Sequence, residues 1–298
     1  MKDNCISLFL SVFVIFFIQT LVFHILKKTG LYDKPDHRKL HVSPKLTSGG
    51  MLFIISWILI TGFSGIIVNN FIFTAFLIIA ILGLLDDVKV FSAKVKLFFH
   101  AVTGILMFYA GAGFESFLFL DNPIILCFLT VLYYVSFINI INLIDGADGL
   151  AVCVTSVILS GVLLIAQGQI FSGEILMLVI CLLVFLVFNL KNSMIFMGDC
   201  GSNFLGFIIG FYILRSGFSK FMISDIIPFI LLVFIPFADT LLAIIRRVMN
   251  RKSIFSADRE HIHHKLLRRF SLNRMLIIMT CLQMIFTGLS VYLVRYLL

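Results

Sequence analysis

Of the 298 residues, 61% are hydrophobic and only 13% charged, with a mean hydropathy of +1.13, so water is not the main solvent of this chain. The formal charge of +8 does not point to nucleic acid, because the basic residues flank apolar runs and read as topology markers. Six cysteines without a CxxC spacing argue against a disulfide framework or a zinc site.

Ten apolar segments follow in chain order: 5–26, 51–68, 71–85, 96–112, 123–141, 150–167, 171–188, 203–216, 224–245 and 275–297. Most approach the roughly 20 residues that a spanning helix needs. The first lacks a basic stretch before it and a small-residue cleavage site after it, so it is expected to stay as a membrane helix. No polar stretch is long enough for a separate soluble domain. The expectation is one integral membrane domain over residues 1–298, an all-α polytopic bundle of about ten spans.

Charge gives that bundle an orientation. The loops after odd-numbered segments, together with Lys96, hold 19 of the 23 Lys and Arg residues. Short loops rich in Lys and Arg stay in the cytoplasm, which turns the odd loops inward and both termini outward. The same inward loops carry nearly all the residues with chemistry to offer. A channel or transporter would place ionisable groups near mid-membrane, whereas these collect at one surface, where an enzyme would meet a soluble substrate.

Five segments carry that chemistry. The basic stretch from Asp33 to His41 reads first as a topogenic signal beside anionic lipid, and it could also capture an anionic substrate. Gly83-Leu84-Leu85-Asp86-Asp87 ends the third segment. Adjacent helical positions point about 100° apart, so one carboxylate could steer a cation while the other orients a nucleophile. The plainer reading is an acidic helix end paired with Lys89.

Next, Asn142, Asp145 and Asp148 recur every third residue in Asn142-Leu143-Ile144-Asp145-Gly146-Ala147-Asp148-Gly149. Oxygen ligands on one side of such a turn suit a hard cation such as magnesium. A simple turn between helices would need about one Asp and one Gly. In Phe196-Met197-Gly198-Asp199-Cys200-Gly201-Ser202, Asp199 precedes a helix that Ser202 is placed to cap. The amides there could hold phosphate. Finally, Arg259, His261, His263 and His264 follow Arg246-Arg247 and could bind a pyrophosphate by charge-assisted hydrogen bonds. Imidazole also suits zinc, but no cysteine or further histidine is near in sequence.

In this order the segments DKPDHRKLH, LLDDV, AKVK, NLIDGADGLA, FMGDCGSNFLGF, ADT followed by RR, and SADREHIHHKLL resemble the polyprenyl-phosphate N-acetylhexosamine-1-phosphate transferase family, from about Asp33 to His264. Members begin O-antigen, enterobacterial common antigen, teichoic acid and peptidoglycan precursors. The SADREHIHH segment is similar to the branch that uses UDP-N-acetylglucosamine. The muramoyl-pentapeptide branch, which carries a run of consecutive histidines there, is the alternative, and a transporter of a lipid-linked sugar or anion is the rival from another class.

The resemblance implies a bacterial inner-membrane enzyme with its site at the cytoplasmic face. Its substrates would be a UDP-N-acetyl sugar and undecaprenyl phosphate within the lipid bilayer, with no nucleic acid and with a homodimer left open. Its cofactor would be magnesium, with manganese as a substitute. Asp199 would bind the ion with Asn142 as second ligand, and Asp145 would support that centre. Asp86 and Asp87 would position or activate the lipid phosphate. Phe196 would stack on uracil with Asn189 and Asp148 nearby, and Thr47 would join the substrate contacts. Arg259, His261, His263 and His264 would meet the pyrophosphate and sugar.

Overall fold

A computed structural model describes residues 2–33, 44–61, 69–190, 194–251, 253 and 260–297. Among these residues the chain forms helices α1 (Lys2–Thr29), α2 (Gly50–Thr61), α3 (Asn70–Val88), α4 (Ala93–Tyr109), α5 (Pro123–Ile144) and α6 (Leu150–Ile165). They continue with α7 (Ser172–Leu190), α8 (Gly198–Ile213), α9 (Ile226–Leu232), α10 (Phe234–Met249), α11 (Ile262–Leu267) and α12 (Leu272–Tyr296). Local chemistry explains several of the ends. Asn69 accepts from the amides of Phe71 and Ile72 at the head of α3. Asn122 does the same for Ile124 and Ile125 in α5, with Pro123 at a position where its missing N–H costs nothing.

Helix α8 is the centre of the bundle. Every residue from Cys200 to Ile213 is buried, as expected of a helix that is apolar all round, and it packs against α2, α3, α5 and α6. Phe204 meets the rings of Phe53, Trp57 and Phe76 at 5.7–6.0 Å. The α3 contact is closest at Gly83, where a Cβ would stand 2.6 Å from the Cα of Cys200. Only glycine lets α3 approach so near, and that approach carries Asp86 and Asp87 to the head of α8.

Among the described residues, five helices are long and apolar enough to cross a membrane: Phe9–Thr29, Asn70–Val88, Pro123–Ile144, Ser172–Leu190 and Leu272–Tyr296. The bent pair Ile223–Leu232 and Phe234–Met249 makes a sixth if it is one span, and Gly50–Leu59 and Leu150–Ile165 are shorter apolar helices. The protein is therefore a multi-pass, mostly helical membrane protein.

The segment expected as one helix over 224–245 is instead α9 and α10, bent by 92°. Pro236 lacks an N–H and would clash with the carbonyl of Leu232 in a continuous helix. Buried Gln283 of α12 takes over the freed groups: its Oε1 accepts from Ile235 N at 3.0 Å and its Nε2 donates to Leu232 O at 2.9 Å. Polar backbone inside an apolar bundle needs such partners.

Candidate active site

The ends of α3 and α5 meet the starts of α4 and α8 around a cavity of about 720 Å³. Lys96, in the first turn of α4, bridges two of its carboxylates. The Lys96 ammonium donates to Asp86 Oδ2 at 2.5 Å and to Asp199 Oδ2 at 2.7 Å. Asp86 also accepts from the Phe91 amide at 2.6 Å. The other Asp199 oxygen accepts from Asn142 Nδ2 at 2.6 Å, and the same Asn142 nitrogen lies 2.9 Å from Ser202 Oγ. Three carboxylate and amide side chains from three helices are thus gathered around one cation.

Asp87 has a different task. Its carboxylate accepts from the amides of Asp199 at 2.7 Å and Cys200 at 3.4 Å, so it caps α8 from across the α3 contact. Helix α8 begins at Gly198, whose φ of +73° is open to glycine and whose Cβ would fall 2.5 Å from Asp87. Ser202, expected as the cap, lies one turn inside and donates to Gly198 O. The amides expected to cradle phosphate at this helix start are therefore engaged by Asp87.

Asp145 sits at the end of α5 and lines the same cavity. Burial pushes its carboxyl up to about 8, and the nearby charges of Asp199, Asp87 and Asp148 push in the same direction. Asp148, Thr47, Asn189, Phe196 and His264 also line the cavity. Asn189 is buried and spends both ends of its amide on backbone, accepting from Gly149 N at 2.6 Å and donating to Ile195 O at 2.8 Å. It ties the loop after α5 to the loop before α8. Phe196 carries the Lys45 ammonium 5.1 Å from its ring centre, a cation–π contact that adds a positive charge to the cavity wall.

The three histidine rings lie 4.3–6.4 Å apart between centroids but face different surroundings. His264 lines the polar cavity. His263 is buried against Gly146, where a Cβ would stand 2.3 Å from its Nε2, and burial, followed by the charge of His264, lowers its pKa to about 4. His263 therefore docks α11 on the loop after α5. His261 lies instead on a second, apolar cavity of about 920 Å³ between α4, α5 and the α9–α10 bend. Arg259 lies outside the described residues, as do residues 34–41 of the first basic stretch. Lys96 and Asn142 line both cavities, so the polar one and the apolar one meet there. The sequence shows Lys96 as a topology charge and as the end of the AKVK segment, and nothing local marks it as the partner of residues 10 and 103 positions away.

Comparison with known sequences gives this arrangement a family. The profile described as glycosyl transferase family 4 matches residues 69–217. A probable undecaprenyl-phosphate N-acetylglucosaminyl 1-phosphate transferase of Bacillus subtilis (strain 168) is 34% identical over 277 residues, covering 88% of this chain and 76% of the relative. The chain belongs to glycosyl transferase family 4. Undecaprenyl-phosphate alpha-N-acetylglucosaminyl 1-phosphate transferases of Thermotoga maritima and Escherichia coli K12 are 27% and 28% identical, over 92% and 90% of the chain. The family 4 match contains Asp86, Asp87, Lys96, Asn142, Asp145, Asp148, Asn189, Phe196 and Asp199. Thr47, Asp239, His261, His263 and His264 lie beyond it.

Proposed function

We propose that this enzyme transfers N-acetylglucosamine 1-phosphate, or a related N-acetylhexosamine 1-phosphate, from a UDP-sugar to undecaprenyl phosphate and releases UMP. The observation that carries the reading is the junction at Lys96 and Asn142 of a polar cavity with an apolar one. A charged nucleotide sugar suits the first, and a long polyprenyl chain suits the second. An acceptor phosphate entering from the apolar side would reach the donor at that junction. Its oxygen attacks the sugar-linked phosphorus, the bond from that phosphorus to the bridging oxygen breaks, and the electron pair leaves with UMP. Such transfers depend mainly on positioning and electrostatics. Lys96 and Lys45 supply fixed positive charge, and Phe196 offers an aromatic surface for uracil.

The donor set fits magnesium, and manganese in its place, because Asp86, Asp87, Asp145 and Asp199 are hard oxygen donors. Among the described residues no three His, Cys, Asp or Glu side chains stand ready as a ligand group. Magnesium, however, is commonly held by one or two carboxylates, with water and substrate phosphates completing its shell. Asp199 fits that mode. Asn142 now turns its N–H toward Asp199, so its carboxamide must rotate to offer oxygen as a second ligand. The bound ion would neutralise charge that develops on the leaving phosphate.

By the basic asymmetry of the loops, the site faces the cytoplasm of a bacterial inner membrane and both termini face outward. Purified protein incubated with undecaprenyl phosphate and a panel of UDP-sugars should release UMP and form lipid-linked product with UDP-N-acetylglucosamine. Asp199→Asn should abolish release while folded protein still accumulates, and chelation should do the same reversibly. Transfer only from the muramoyl-pentapeptide nucleotide would move the enzyme to the other branch, and unimpaired Asp199→Asn would remove Asp199 from the metal.

A further inference from the structure

The apolar cavity carries polar side chains in its lining, most of them outside the polar cavity. Lys96, His100, Asn203, Arg247 and His261 are among them. His100 Nε2 and Asn203 Nδ2 are buried there without a hydrogen-bond partner, and each residue is about 1% exposed. Polar side chains in the wall of an otherwise apolar cavity suit a ligand that joins a polar group to an apolar remainder. His261 is the most tightly held member. Asp239 Oδ2 lies 2.7 Å from His261 Nδ1, and Asp239 Oδ1 accepts from the Ile262 amide at 2.7 Å. Both side chains are at most 5% exposed. One carboxylate therefore fixes the ring and the start of α11 that carries it.

We propose that Asp239 is a positioning residue which turns His261 Nε2 toward the acceptor phosphate, so that His261 serves the lipid substrate and not the nucleotide sugar. This rests on the transferase reading above and deepens it. With Nδ1 committed to Asp239, Nε2 is the ring nitrogen left to share a proton with a phosphate oxygen, and the choice of ring nitrogen is set by the bond that the other one makes. His264 lines the other cavity, so neighbouring histidines of one segment serve different substrates.

The test separates the Michaelis constants of the two substrates in the complete enzyme, reconstituted in lipid. Asp239→Asn keeps an acceptor for Ile262 N but faces Nδ1 with an N–H, which favours the wrong tautomer. It should raise KM for undecaprenyl phosphate or lower kcat by roughly 10-fold or more, as expected for a lost hydrogen bond to a charged group, and leave KM for the UDP-sugar unchanged. In a His261→Ala background the same change should have no further effect, because the residues act as one unit. If Asp239→Asn does not accumulate, His261→Gln, which keeps the Asp239–Ile262 bond, must show the same acceptor-side signature alone. A rise confined to the UDP-sugar KM, or losses that multiply in the double variant, would overturn the assignment while leaving the transferase reading intact. A wild-type protein that forms no lipid-linked product would overturn both.

Discussion

Lys96 stands between Asp86 and Asp199, whose carboxylates would repel each other without it. Lys96→Met keeps most of the volume and removes the charge. It is expected to lower kcat roughly 100-fold, the scale of losing one electrostatic contact to a transferring group. It should also cost about 1 kcal/mol of stability, a modest figure because the ammonium is partly solvated. Lys96→Arg should restore thermal stability more than rate, since a planar fork cannot place a point charge between two oxygens. Rapid-quench UMP release and thermal unfolding in detergent would check both parts. Asp145 gives a prediction on pH. Its folded pKa of about 8 is above the ordinary 3.8, so its favourable contribution is complete below the unfolded value and is lost as pH rises toward 8. In chelator, the wild-type melting temperature should fall across that window. Asp145→Asn should flatten the fall and melt higher than wild type above it. An unchanged pH profile would show that Asp145 is already ionised in the folded protein.

Among the elements, the α9–α10 break depends on a residue from another helix. Gln283→Leu leaves Ile235 N and Leu232 O without the partners that Gln283 gives them. The expected loss is about 1–3 kcal/mol for each unsatisfied group, read as a lower melting temperature in detergent. Gln283→Glu keeps the acceptor and loses the donor, so it should fall between wild type and Gln283→Leu. A neutral Gln283→Leu would mean that the bend is set by Pro236 alone. The α3–α8 pair works by similar cooperation: Gly83 permits the approach, Asp87 caps α8, and Gly198 makes room for that carboxylate. Sequence marks these residues as a motif, yet the division of labour between Asp86, held by Lys96, and Asp87, held by α8, is invisible until the helices are packed.

At the scale of the molecule, the charge asymmetry makes a topological prediction. In a background lacking the six native cysteines, single cysteines at Lys94 and Ser271 should be shielded from an impermeant thiol reagent in intact cells and labelled after lysis. One at Asp121 should label from outside. Labelling of Lys94 from outside would place the site on the other face. Membrane class, helical architecture and family membership were legible in the sequence because they rest on composition and on short motifs whose order survives without coordinates. The clustering of Asp86, Asn142, Asp145 and Asp199 was legible for the same reason, as each ends or begins an apolar run. The bend within 224–245 was not read, although Pro236 was visible, because a proline inside a membrane helix is tolerated when a neighbour satisfies the freed groups, and that neighbour, Gln283, lies 48 residues from Ile235. The tertiary structure alone decided that Lys96 joins two acidic motifs, that Asp239 fixes His261, and that His261 and His264 face different cavities. These are contacts between side chains far apart in the chain, or choices between neighbouring rings of one short segment, and packing geometry, not local spacing, determines which of them meet.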